Sequence, residues 1–378
     1  MNSKINKKVR PGVALLVVLF VVMAITILSL GFVSRSDVEL ACGQNMLMRT
    51  QMDYLAESGL EHARGLILNP QDVSSEYFTG AAAQQLIVDS RDYYDIQVVR
   101  DDSDPTDRCN YIIDCNSYRM EGGEKTGRSD IRARLRIDPC IAYWVGSSTT
   151  ISPQVTINGD VYCTGDLTNN GVINGDVFAT GTITGASIEG QKKTVTQAPV
   201  AWPGLISTGF YPTYYIDSTP YLAEPNIPTI PFSPSPGNPA GICYCVGDVN
   251  MPGNVTINGT LVVTGSLTIS GTNTITAVKN FPALLVGGQV MMKNGSSLAI
   301  NGLAQVEQQI TVDPNTANAN INVTGGLFIH SGGITSNVIS VNVTAAPAIA
   351  SIQTWPAPGV ASRWKPAAGA FFRSIERR

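Results

Sequence analysis

Val155-Thr-Ile-Asn-Gly-Asp-Val161-Tyr-Cys-Thr-Gly-Asp-Leu167-Thr-Asn-Asn-Gly-Val-Ile173 decides how most of this chain is read. Val155, Val161, Leu167 and Ile173 stand six residues apart, with Gly, Asn and Asp between them. A helix repeats near 3.6 residues, a half-buried strand repeats at two, and an antiparallel meander needs hairpin turns. A step of six suits a parallel β-solenoid. One short strand lies on each face, Gly or Asn turns the corner, and apolar side chains stack inward. The step recurs at Val255, Leu261 and Leu267, and at Ile257, Val263, Ile269 and Ile275. It is kept at Ile321/Leu327 and at Val323/Ile329.

A longer repeat overlies the short one. Ile141-Ala-Tyr-Trp-Val-Gly146 returns as Ile242-Cys-Tyr-Cys-Val-Gly247, and Val155-Thr-Ile-Asn-Gly159 returns unchanged as Val255-Thr-Ile-Asn-Gly259. Such self-similarity marks stacked architectures. Residues 141–350 are therefore assigned to a solenoid, which is similar to the β-helix of bactofilins over roughly 150–190 and 242–345. Residues 198–240 interrupt it with ten prolines between Pro199 and Pro239, accompanied by Tyr211, Tyr214, Tyr215 and Tyr221. Proline excludes regular strand here, so this stretch reads as an excursion draped on the solenoid, with a groove-docking ligand as the alternative. Residues 351–378, with Trp355, Trp364, Phe371 and Phe372, read as a cap over the last coil.

At the other end, Val13 to Val33 holds twenty-one residues without a charge, Asn, Gln or His. A membrane span needs roughly 20. Lys4, Lys7, Lys8 and Arg10 precede it with no acidic residue, which predicts a cytoplasmic N-terminus and a periplasmic body. The run exceeds the apolar core of a secretory signal, about 7–15 residues, and Ser34-Arg-Ser-Asp37 is a poor cleavage site. The basic leader ends in Pro11-Gly12 directly against the apolar run. In this, and in Tyr54-Leu-Ala-Glu-Ser-Gly-Leu-Glu-His-Ala-Arg64, the chain resembles the type IV pilin-like family.

That resemblance implies a prepilin peptidase that cuts after Gly12 and methylates Val13. It implies a helix stored in inner-membrane lipid and then packed with other pilin-like subunits. The family's Glu at the fifth position after the cut is Val17 here, a departure that resembles minor pilins or pseudopilins placed at a filament tip. An uncleaved signal anchor is the bland alternative.

The apolar run continues as an amphipathic helix through Val38, Ala41, Met48, Met52, Leu55, Gly59, Ala63 and Leu66 until Asn69-Pro70 stops it. Residues 1–12 are thus the leader and 13–69 one rod, about 84 Å long from Val13 to Leu68. Residues 70–140 form a small pilin-like head: a helical or irregular connection to residue 90, then strands Tyr93–Arg100, Tyr111–Met120 and Ile131–Ile137. His62 is assigned to a solvated face. The fold class is α+β followed by all-β: a long N-terminal helix, a small antiparallel sheet, and a C-terminal parallel solenoid. Asp101, Asp102, Asp104 and Asp107 offer hard oxygen ligands, so Ca²⁺ is the one cofactor considered, and pseudopilins that this head resembles carry calcium sites. A solvated hairpin loop is the alternative, because the EF-hand spacing is missing.

The chain is acidic, at −4, and −8 once the four leader charges are gone (−4 − 4), which argues against nucleic acid as a partner. Six of the seven cysteines lie beyond the stalk, and their pairing cannot be deduced, since six allow 15 connectivities. Residues 141–350 hold no Arg and only four Lys, and Asp160, Asp166 and Asp176 follow Gly in turns. That is poor equipment for binding polyanionic sugars or for a paired-carboxylate glycosidase, and no Ser/His/Asp set is visible. The predicted function is a non-enzymatic minor pilin or pseudopilin subunit of a type IV pilus or type II secretion filament, with the solenoid as spacer or adhesive surface. The alternatives are a membrane-anchored periplasmic scaffold whose solenoid self-associates, and a polysaccharide-acting enzyme.

Overall fold

The structure is a computed structural model that describes residues 11–68, 77–103, 109–138, 140–197, 212–216, 219–278, 281–345 and 369–377. The leader residues 1–10, Asn69-Pro70, Asp104, Asp107, much of the Pro-rich stretch, Trp355 and Trp364 lie outside these.

Helix α1 runs unbroken over Pro11–Leu68, 58 residues and about 87 Å. From Leu15 to Val33 its apolar side chains are uncovered, and the helix is a candidate single membrane span. Packing begins later than the amphipathic pattern predicts. Val38 and Leu40 remain exposed, and the buried residues are Met52, Leu55, Ala56, Leu60, Ala63 and Ile67. The physical reason is reach: the head meets the helix at Met48, which lies half-buried against Gly127, and at Gln51, whose Oε1 accepts from Arg119 Nη2 at 3.2 Å.

The head sheet contains β1 (Gly80–Gln84), β2 (Asp92–Arg100), β3 (Asn110–Glu121) and β4 (Glu124–Asp138), antiparallel in that order. Alternate residues Tyr111, Ile113 and Cys115 face α1, as do Ile131, Ala133, Leu135 and Ile137. The contact is closest at Gly59, where a Cβ would lie 2.3 Å from Cys115 Sγ. β1 falls where a helical or irregular connection is expected, because Gly80-Ala-Ala-Ala-Gln84 shows no apolar alternation. It is an edge strand with a bulge, and Ala83 sits at φ +51°. The fifth strand, Gly369–Arg377, pairs antiparallel with β4. This part of the segment assigned to a solenoid cap therefore completes the head sheet.

The solenoid is a triangular stack of about nine coils, and parallel pairing links every level, with a register shift between Ile141 and Tyr143 at the entrance. On its first face the stacked strands run Lys192–Thr194, Val177–Ala179, Asp160–Cys163, Ile141–Val145, then residues 327–329, 304–306, Leu284–Val286, Thr260–Val263 and Ile242–Cys245. Nine strands at the usual spacing span about 38 Å. The six-residue step is a walk around the triangle: Val155, Val161, Leu167 and Ile173 fall on successive faces and are all fully buried.

The order of coils is the surprise. The chain enters in the middle, at Ile141, and climbs to one end at Lys192–Thr194. It then crosses to the opposite end and winds back from Ile242, so that 327–329 lies against 143–145. Val341 and Val343 likewise pair with Val155 and Ile157. The C-terminal coil is therefore interior and presents no open edge for a cap to cover. Coil backbones meet so closely at the seam that a Cβ on Gly159 would lie 2.6 Å from Ala345 Cβ and 2.9 Å from Ala142 Cβ.

A disulfide joins Cys109, at the start of β3, to Cys140, at the solenoid entrance. The remaining cysteines among the described residues are free thiols: Cys42 is exposed, and Cys115, Cys163, Cys243 and Cys245 are buried. Burial and the nearby Asp95 push the Cys115 thiol up to about 12, so it stays protonated.

Candidate functional surfaces

Three surfaces follow from this architecture. The first is the uncovered helix. Gly12 and Val13 lie in its first turn, and Val17 is exposed on its side. A helix apolar on all sides needs lipid or other helices around it, because water gains nothing from those side chains.

The second is the outer side of the solenoid's first face. In stacking order its outward residues are Lys193, Phe178, Tyr162, Trp144, Phe328, Gln305, Leu285, Val262 and Tyr244. All but the two end residues are buried. This apolar ladder clusters with Tyr214, Tyr221, Ala223 and Ala240 from the Pro-rich stretch, which supports the draped reading of that stretch over the groove-ligand one. Tyr214 Oη donates to Asn238 Oδ1 at 2.6 Å, and Asn238 in turn binds Ile242. The stretch then closes one end of the stack: Glu224 bridges Cys243 on the first face and Phe232 bridges Ile257 on the third.

The third surface is the outer side of the third face, which no described segment covers. One column of outward residues runs Asn258, Thr276, Asn301, Thr324, Thr344, Asn158 and Asn174, and a second runs Thr256, Thr274, Ala299, Asn322, Asn342, Thr156 and Val172. None is charged and none is buried. Side chains hydrogen-bond along the first column: Asn174 Nδ2 to Asn158 Oδ1 at 2.7 Å, and Asn158 Nδ2 to Thr344 Oγ1 at 3.2 Å. The second of these bonds crosses the seam between the two chain segments.

The Gly-Asp turns serve the stack. Asp160 is buried; its Oδ2 accepts the Cys140 N–H at 2.8 Å and its Oδ1 the Asp176 N–H at 2.9 Å. Asp176 Oδ1 accepts the Gln191 N–H one coil further at 2.8 Å. Burial drives the Asp160 carboxyl above its ordinary value, against these hydrogen bonds. At Asp176 burial also opposes ionisation, but Lys193 and the Gln191 N–H outweigh it, and that carboxyl is held low.

Of the calcium candidates, Asp101 accepts the Ser103 N–H at 3.2 Å and is held low by hydrogen bonds from Ser103. Asp102 pairs with Arg100 at 2.7 Å. Asp104 and Asp107 lie outside the described residues, among which no cluster of three metal-ligating side chains occurs. His62 is half-buried rather than solvated, with Nδ1 3.0 Å from Tyr94 Oη. His330 pairs with Glu307 at 2.8 Å. The sequence carries no signal for the disulfide or for the outward columns: Cys spacing carries no pairing, and Thr and Asn at alternate positions read simply as strand surface.

Fold and surfaces together define a class: a protein with one long, apolar N-terminal helix that carries a small antiparallel sheet and a parallel β-solenoid. No family model matches the chain, and no curated protein matches it. Among solved structures, the competence-associated pilin ComZ from Thermus thermophilus aligns with 87% of this chain and 97% of its own. The identity is 12% and the TM-score 0.21, too low for the likeness to bear on fold or function.

Proposed function

We propose that this chain is a pilin-like structural subunit, a minor pilin or pseudopilin, whose helix moves from the inner membrane into a filament core. The observation that carries this reading is the helix itself. It is uncovered from Leu15 to Val33, and it continues without a break until Ile67 is buried in the head. A simple anchor gains nothing from rigid continuity between span and head; an assembly rod requires it. The basic leader, with Gly12 placed against Val13, supplies the processing signal. The solenoid is a non-enzymatic spacer or adhesive surface, and its open Thr/Asn face suits an uncharged ligand.

The self-associating scaffold is the rival. End-to-end growth of a solenoid needs two open ends, and one end here is closed by residues 223–232. N-terminal analysis of membrane-extracted protein tests the proposal. An N-methylated Val13 is expected, whereas a retained leader in cells with active prepilin peptidase refutes it.

A further inference from the structure

Between β1 and β2 the head carries a short turn with three consecutive apolar side chains in water. Leu86, Ile87 and Val88 are 63%, 69% and 80% exposed. The turn is built rather than loose: Ser90 N donates to Ile87 O at 3.2 Å, Gln85 Nε2 donates to Ser90 O at 2.7 Å, and Asp89 holds φ +62°. Three adjacent uncovered aliphatic residues on an ordered turn form a contact patch rather than scattered surface apolarity.

Its position limits what can cover it. The turn leads into Asp92, which stands opposite Arg119, and Arg119 reaches Gln51 of α1. The turn therefore leaves the head at the level of Gln51, on the side facing the N-terminal half of the helix. The apolar run ends at Val33, eighteen residues earlier, about 27 Å away along the axis. A bilayer around residues 15–33 lies out of reach.

A second uncovered apolar surface lies within that interval. Val38, Cys42 and Met46 follow one another at four-residue steps on one side of α1, and all three are exposed. The stripe continues the apolar surface of Leu15–Val33 along the same helix. Charge matches as well: Arg49 follows Met46 by one turn, Asp89 follows Val88, both are exposed, and neither has an ion-pair partner among the described residues.

We infer that the Leu86–Ile87–Val88 turn docks on the Val38–Cys42–Met46 stripe of a second copy of this chain, with Asp89 facing Arg49. The two patches are different surfaces of one molecule, so the contact is heterologous. It gives the filament reading, on which it rests, a specific head-to-stalk contact.

Native Cys42 supplies the probe. Full-length Ile87→Cys in membranes, mildly oxidised, is expected to give a covalent dimer that wild type lacks and that Cys42→Ser abolishes. Leu19→Cys, within the apolar run, reports helix-to-helix assembly independently. If Leu19→Cys cross-links and Ile87→Cys does not, the docking contact is wrong and the filament reading stands. If neither cross-links, no second copy lies beside the helix and the docking contact is wrong. An Ile87→Cys dimer that survives Cys42→Ser means turn meets turn, which also overturns the contact.

Discussion

Asp160 shows how a residue that reads as routine turn chemistry becomes structural. Each of its oxygens accepts a backbone N–H, one from the entering chain and one from the next coil. Asp160→Asn can satisfy only one of them and leaves a buried N–H without a partner, at a cost of about 1–3 kcal/mol. The pH signature is distinctive. Because the folded carboxyl is raised above 3.8, its contribution to stability is complete below that value and declines as pH rises through the folded one. Asp176, held low, acts in the opposite sense: its contribution is present above 3.8 and lost on acidification. Urea midpoints across the acid range should show the first limb in wild type and its absence in Asp160→Asn.

At the scale of elements, legibility follows periodicity. The helix and the coils announce themselves, because Val13–Val33 has no charged interruption and Val155, Val161, Leu167 and Ile173 step from face to face around the triangle. β1 has no such signal; an alanine triplet at a bulged edge resembles a connection. The Cys109–Cys140 bridge was equally silent, since it depends on β3 and the solenoid entrance meeting in space. It closes a separation of 31 residues, which chain entropy converts to about 3–4 kcal/mol. Cys109→Ala with Cys140→Ala should lower the denaturant midpoint accordingly, and the loss should match that of reduced wild type.

At the scale of the molecule, the order of coils was beyond the sequence. A six-residue pattern records which residues point inward but not which coil is the neighbour, so the mid-stack entry is invisible in it. The seam makes a prediction. Because Ala345 and Ala142 both adjoin Gly159, a short linker can replace the natural connection. A permuted chain of residues 223–345 followed by 141–195 should fold into the same stack, with unchanged far-UV circular dichroism and a cooperative melt. A molten product would show that the crossing stretch is needed to hold the apolar ladder in place.

The seam also decides how a pull would travel. The solenoid is held at its waist, where the chain leaves β4 at Asp138 and later returns as Gly369, and these two residues face each other in the head sheet. Tension on a bound tip would thus load two adjacent strands in parallel, dragging them together along their length against β3 and α1. Hydrogen bonds loaded in shear must yield as a set, whereas a single end tether would peel them one at a time. The rigid arm would also turn a sideways tug at either tip into torque at that waist, where the Cys109–Cys140 bridge locks the joint.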